Sequence, residues 1–137
     1  MTKKILCPVD GTDHAEVGLR HAVELAKLTG AHLTICAVNL ALGGARGPTI
    51  NQWPDEEAEA LVAKAEASAK AAGATDIGTA VVISRTAATA IIAYAEELGA
   101  DQIVMGTGDK RGVKRLVLGS VAAEVAGQAG CSVTVAR

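Results

Sequence analysis

Phenylalanine is missing altogether, and Trp53 and Tyr94 are the only aromatic side chains in 137 residues. A core built from this chain is therefore aliphatic, and a run of rings on which successive nucleic-acid bases could stack is excluded. An excess of one charge is missing too. Thirteen Lys and Arg face fifteen Asp and Glu, a formal net charge of −2, so no nucleic-acid partner is expected on charge. No uninterrupted apolar stretch approaches membrane-spanning length, which argues against membrane insertion. Lys3 and Lys4 are followed by the apolar residues 5–9, but Asp10 ends that run too soon for a secretory leader. Cysteine is scarce: Cys7, Cys36 and Cys131 are odd in number and lack C-x-x-C spacing, which points to a reduced, cytoplasmic protein. His14, His21 and His32 have no matching set of carboxylates or cysteines, so no metal site is expected.

What is present is aliphatic and periodic. Half the residues are hydrophobic, and the length suits a single domain over residues 1–137. Residues 4–9 read as a short buried strand, and Asp13 as the N-cap of a helix that stops at Gly30. A second strand spans 32–38 and is bounded by Asn39. Residues 39–54 contain Gly43, Gly44, Gly47, Pro48 and Pro54 and read as a long loop, a length usually reserved for function. Residues 55–72 form the clearest helix, opened by acids and closed by Gly73. A third strand spans 76–84, a helix capped by Thr86 runs to Leu98, a fourth strand covers 102–105, a helix 120–129 and a fifth strand 132–136. Strands alternating with helices, each crossover about 20 residues or longer, make parallel βαβ units. The fold class is α/β: an open five-stranded parallel sheet with helices on both faces.

In such a sheet ligands bind beyond the carboxyl ends of the strands, where strand order reverses. Two strand ends stand out. The first runs into Asp10-Gly11-Thr12, and the fourth into Gly106 to Ser120, a stretch with four glycines and four cations. Gly106 and Gly108 allow close backbone approach, and Gly119-Ser120 opens a helix whose N-terminus favours an anion. The phosphate-loop motif G-x-x-x-x-G-K-[ST] is absent, and G-x-G-x-x-G misses by one place because Arg111 precedes Gly112. A phosphate cradle and a solvated connection both remain open on these residues alone. Asp10 is open in the same way, between ligand contact and turn cap. Arg85 could reach a phosphate from the same edge, though a solvated loop position suits it better.

Residues 4–12 (KILCPVDGT), 99–107 (GADQIVMGT) and 116–122 (LVLGSVA) together resemble the universal stress protein family, and the likeness runs along nearly the whole chain. The resemblance implies a parallel sheet in which the five strands are ordered 3-2-1-4-5, with the first and fourth side by side. It also implies an adenine-nucleotide site of the G-x2-G-x9-G-[ST] type. Gly106, Gly119 and Ser120 stand in register with that motif; Asp109 occupies the second glycine position and Gly108 precedes it by one. By this likeness Asp10 and the backbone near Val9 and Val38 would hold adenine and ribose, with Pro8 and Met105 also in the nucleotide site. Gly106, Gly108, Asp109, Gly119, Ser120 and Val121 would lie along the phosphates.

The function so implied is that of a stress-response regulatory protein that binds ATP or another adenine nucleotide, with or without Mg²⁺, and acts through an unidentified regulatory partner rather than turnover. No catalytic residues are assigned. A dimeric interaction module of the same fold that binds no nucleotide is the alternative, kept open by Asp109. A slow nucleotide hydrolase ranks last, because only Asp10 and Asp109 could serve its metal or base. The resemblance further implies a homodimer through the fifth strand, Ser132 to Ala136, an apolar sheet edge that invites pairing.

Overall fold

A computed structural model of the chain describes residues 2–107 and 118–137. The elements follow in the order β1 (Lys4–Pro8), α1 (Asp13–Thr29), β2 (His32–Gly43), β3 (Thr49–Asn51), α2 (Asp55–Ala71), β4 (Ile77–Ser84), α3 (Ala87–Leu98), β5 (Gln102–Gly106), α4 (Ser120–Gln128) and β6 (Ser132–Ala136). Five of the strands are parallel and stand in the order β4-β2-β1-β5-β6. This is the expected 3-2-1-4-5 arrangement with one short strand added. The chain leaves β1 for β2 and β4, then returns to the other side of β1 at β5, so the order reverses between β1 and β5.

The side chains of the central strands alternate between two aliphatic cores. Ile5 and Cys7 of β1, Leu33 and Ile35 of β2 and Val104 of β5 pack with Leu19, Val23 and Ala26 of α1 and with Ala65 and Ala69 of α2. Leu6, Cys36, Ile103 and Met105 point the other way, onto Ile91 and Ala95 of α3 and Ala122 and Val125 of α4. The period of two along a strand puts Cys7 and Cys36, on adjacent strands, in different cores. Continuous apolar runs with both faces covered hold for β1 and β5. Along β4 and β6, the outermost parallel strands, the helices cover less, and most side chains are only half-buried.

Three local readings need correction. The helix-capping residue is Thr12, not Asp13: its Oγ1 accepts the Ala15 N–H at 3.3 Å, while Asp13 opens the first turn. Asn39 does not bound β2. Leu40, Ala41 and Leu42 continue the strand, and Ala41, Leu42 and Gly43 pair antiparallel with Asn51, Ile50 and Thr49 of β3. The stretch expected as a loop over 39–54 is therefore largely a hairpin, and the sheet has six strands rather than five. Gly43 and Gly44 let the chain turn back there, with φ of 77° and 92° that glycine adopts without steric cost.

Candidate functional site

A cavity of about 360 Å³ opens at the carboxyl ends of the strands where the order reverses. Pro8, Val9 and Asp10 reach it from the end of β1, Val38 from β2, Met105 and Gly106 from β5, and Gly119, Ser120 and Val121 from the start of α4. Every site residue expected from the sequence that lies among the described residues thus faces one space. Gly108 and Asp109 lie outside the described residues.

Each wall has a local cause. Beyond β1 the Val9 N–H still donates to the Cys36 carbonyl at 2.8 Å, which keeps the strand end straight as far as the cavity. Asp10 then ends it in a turn, where Oδ1 accepts the Thr12 N–H at 3.0 Å and the Thr12 hydroxyl at 2.6 Å. The turn-cap reading of Asp10 is therefore correct as far as it goes. Asp10 is exposed, lines the cavity and supplies the only carboxylate among the described residues that do so.

Gly106 has a packing duty that the sequence did not disclose. A Cβ there would collide with the His14 carbonyl of α1, and a Cβ on Gly18 would stand 2.5 Å from the Gly106 nitrogen. The two glycines let α1 lie directly on the end of β5, closer than any side chain would permit. Across the cavity the Gly119 N–H donates to the Thr107 carbonyl at 2.7 Å, which ties the start of α4 to the end of β5. Gly119 is the N-cap of α4, and among the described residues no side chain caps that helix. The first-turn N–H groups of a helix left without a side-chain cap suit an anion, which adds to the dipole at the same point.

Several lining residues were not anticipated: Thr12, Leu40, Gln52, Trp53, Ala87 and Ile91. Ala87 and Ile91 follow from the strand order, which brings the start of α3 over the cavity. Gln52 and Trp53 arrive through the hairpin; the available signals were a lone tryptophan next to Pro54 and the polar Asn39 inside an apolar run. Arg85 is not at the cavity: it donates to the Gly43 carbonyl at 2.8 Å and holds the hairpin instead. His32 pairs with Asp76 at 2.7 Å at the opposite end of the strands. Cys7 and Cys36 are fully buried; burial pushes the Cys36 thiol up to about 12 and Cys7 higher still, with Cys36 and Glu16 adding to the shift. Neither is a nucleophile near neutral pH.

Residues 1–137 match the model of the universal stress protein family. A universal stress protein of Methanocaldococcus jannaschii is 33% identical over 98% of this chain and 82% of its own length. Among solved structures, a universal stress protein in complex with cAMP superposes with a TM-score of 0.78 at 27% identity, covering 99% of this chain and 97% of the other. The universal stress protein from Archaeoglobus fulgidus in complex with dAMP gives 0.73 at 26% identity, covering 100% and 98%.

Proposed function

This chain belongs to the universal stress protein family, and from that premise we propose that it binds an adenine nucleotide at the carboxyl ends of β1 and β5 and serves as a stress-response regulator. The observation that carries the reading is the meeting, on one cavity, of the Val9-Asp10 strand end, Val38 and the Gly119-Ser120-Val121 helix start, which no side chain among the described residues caps. Aliphatic walls suit a base, and the helix start suits phosphate. Two structural relatives in complex with adenine nucleotides, cAMP and dAMP, point the same way.

ATP is the finer proposal. Val9, Asp10 and Val38 would hold adenine and ribose, and Gly106, Gly119, Ser120 and Val121 the phosphates. Asp10 has Oδ1 engaged with Thr12, which leaves Oδ2 as the oxygen that could meet a ribose hydroxyl or a nucleotide-bound Mg²⁺. We place the protein in the cytoplasm, where the thiols of Cys7, Cys36 and Cys131 stay reduced, acting as a homodimer through β6 on a regulatory partner. No helix among the described residues is long and apolar enough to cross a membrane.

Mass spectrometry of the protein purified without added ligand, first native and then denatured, tests the reading. An adenine nucleotide released on denaturation is the expected result. An unliganded mass, together with flat calorimetric titrations with ATP, ADP, AMP and cAMP, would overturn it.

A further inference from the structure

The wall of the cavity on the β2 side is built unlike the others. Asn39 is fully buried, and both ends of its carboxamide are used on one residue. Nδ2 donates to the Trp53 carbonyl and Oδ1 accepts the Trp53 N–H, each at 2.9 Å. The Gln52 N–H donates to the Leu40 carbonyl at 2.8 Å. Three hydrogen bonds thus fasten residues 52–53 to β2 beside Val38 and Leu40, whereas residues 42–50 between them are exposed. A buried carboxamide is costly unless its hydrogen bonds are made. Those of Asn39 are made by the main chain of residue 53, which fixes where the Trp53 side chain starts.

Trp53 is the only tryptophan and the only aromatic residue lining the cavity. The strand order sets where it acts. β1 is central, with β5 and the anion-favouring start of α4 to one side and β2 with its attached Trp53 to the other. A ligand with a negative end and a flat apolar end spans these two sides in one orientation only.

Resting on the adenine-nucleotide reading, we propose that Trp53 is the surface on which the purine base stacks, and that Asn39 is the positioning residue that holds it there. An indole face offers a large contact at small conformational cost, and stacking on an aromatic side chain does not depend on hydrogen bonds to the base.

The test compares AMP with ribose 5-phosphate, which keeps the anion and loses the base. Calorimetry is run on the wild type and on Trp53→Ala, Trp53→Phe and Asn39→Ala, with tryptophan emission followed where Trp53 is present. Removing a stacked ring weakens AMP roughly 5- to 100-fold in Kd, leaves the Kd of ribose 5-phosphate unchanged, and is largely repaired by phenylalanine. AMP changes the emission of the wild type, and ribose 5-phosphate does not. Asn39→Ala shifts the emission of the free protein and weakens AMP alone; if that variant does not fold, the Trp53 series decides. Wild-type affinity for AMP in Trp53→Ala, together with a wild-type emission indifferent to AMP, overturns stacking while nucleotide binding stands. Equal loss of both ligands in folded Asn39→Ala overturns the positioning role. Failure of the wild type to bind AMP removes the underlying reading and this inference with it.

Discussion

Asp10 and Gly119 look alike as site residues in the sequence, yet the structure separates their duties. Asp10 shapes the turn into α1 through Thr12, whereas Gly119 takes an extended N-cap conformation, φ −61° and ψ 155°, open to any residue. Gly119→Asp should therefore fold normally, because Asp is at least as good an N-cap as Gly, by a few tenths of a kcal/mol. Its carboxylate would occupy the helix-start anion site, and calorimetry with ATP should show binding lost while the denaturation midpoint is kept. Unchanged affinity would place the phosphates elsewhere. The buried thiols carry a second expectation. Burial pushes the Cys36 thiol from an ordinary 9.0 up to about 12, so the folded state keeps a proton that the unfolded state loses. Their contribution is fully present below pH 9 and falls as pH rises toward 12, by about 1.4 kcal/mol per pH unit for each thiol. Urea midpoints at pH 7 and pH 10 should drop less for Cys36→Ala than for the wild type. Thiol titration of the native protein near neutral pH should find Cys7 and Cys36 slow to react, and rapid labelling of either without unfolding would contradict their burial.

At the scale of elements, the contact that most directly sets the cavity is that of α1 on β5. Gly18 and Gly106 let the helix backbone meet the strand backbone, and neither partner has a flexible side chain that could yield. Gly18→Ala should destabilise by about 1–3 kcal/mol, since the added methyl meets main-chain atoms 2.5 to 2.7 Å away. Because those atoms belong to Met105 and Gly106, nucleotide affinity should weaken with stability. A variant as stable as the wild type by chemical denaturation would show that α1 can rise off β5. The hairpin of β2 and β3 illustrates the opposite design, an element fastened by few bonds: the Asn39 carboxamide on Trp53, the Gln52–Leu40 bond and Arg85 on Gly43.

At the scale of the molecule, β6 ends the sheet with only β5 as its partner among the described strands, and its Val133 and Val135 lean on the α3/α4 core. An edge of this kind is a surface for strand addition. Sedimentation should give about twice the 13.8 kDa of one chain, as expected for a two-fold pair of antiparallel β6 strands. Successive strand residues direct their N–H groups to opposite edges, so of Thr134→Pro and Val135→Pro one removes a bond to β5 and the other an outward N–H. The second should be a folded monomer. If both variants remain dimeric, the interface lies away from β6.

The chain's periodicity determined the parallel α/β class, which holds because strand burial and helix amphipathicity are local patterns; the order of the five parallel strands came with the family likeness of three short stretches, and the fold adds β3 to it. The same stretches contain Pro8, Val9, Asp10, Met105, Gly106, Gly119, Ser120 and Val121, the family likeness added Val38, and all of these line one cavity. Tertiary structure alone decided the rest. That Gly106 is required by α1 depends on a contact with His14 and Gly18, nearly a whole sheet away in sequence. That β2 runs past Asn39 depends on a partner strand, β3, too short to register as a periodic run. And Trp53 stands at the cavity with its main chain held by a buried carboxamide fourteen residues earlier, whose need for partners arises only once the chain has folded around it.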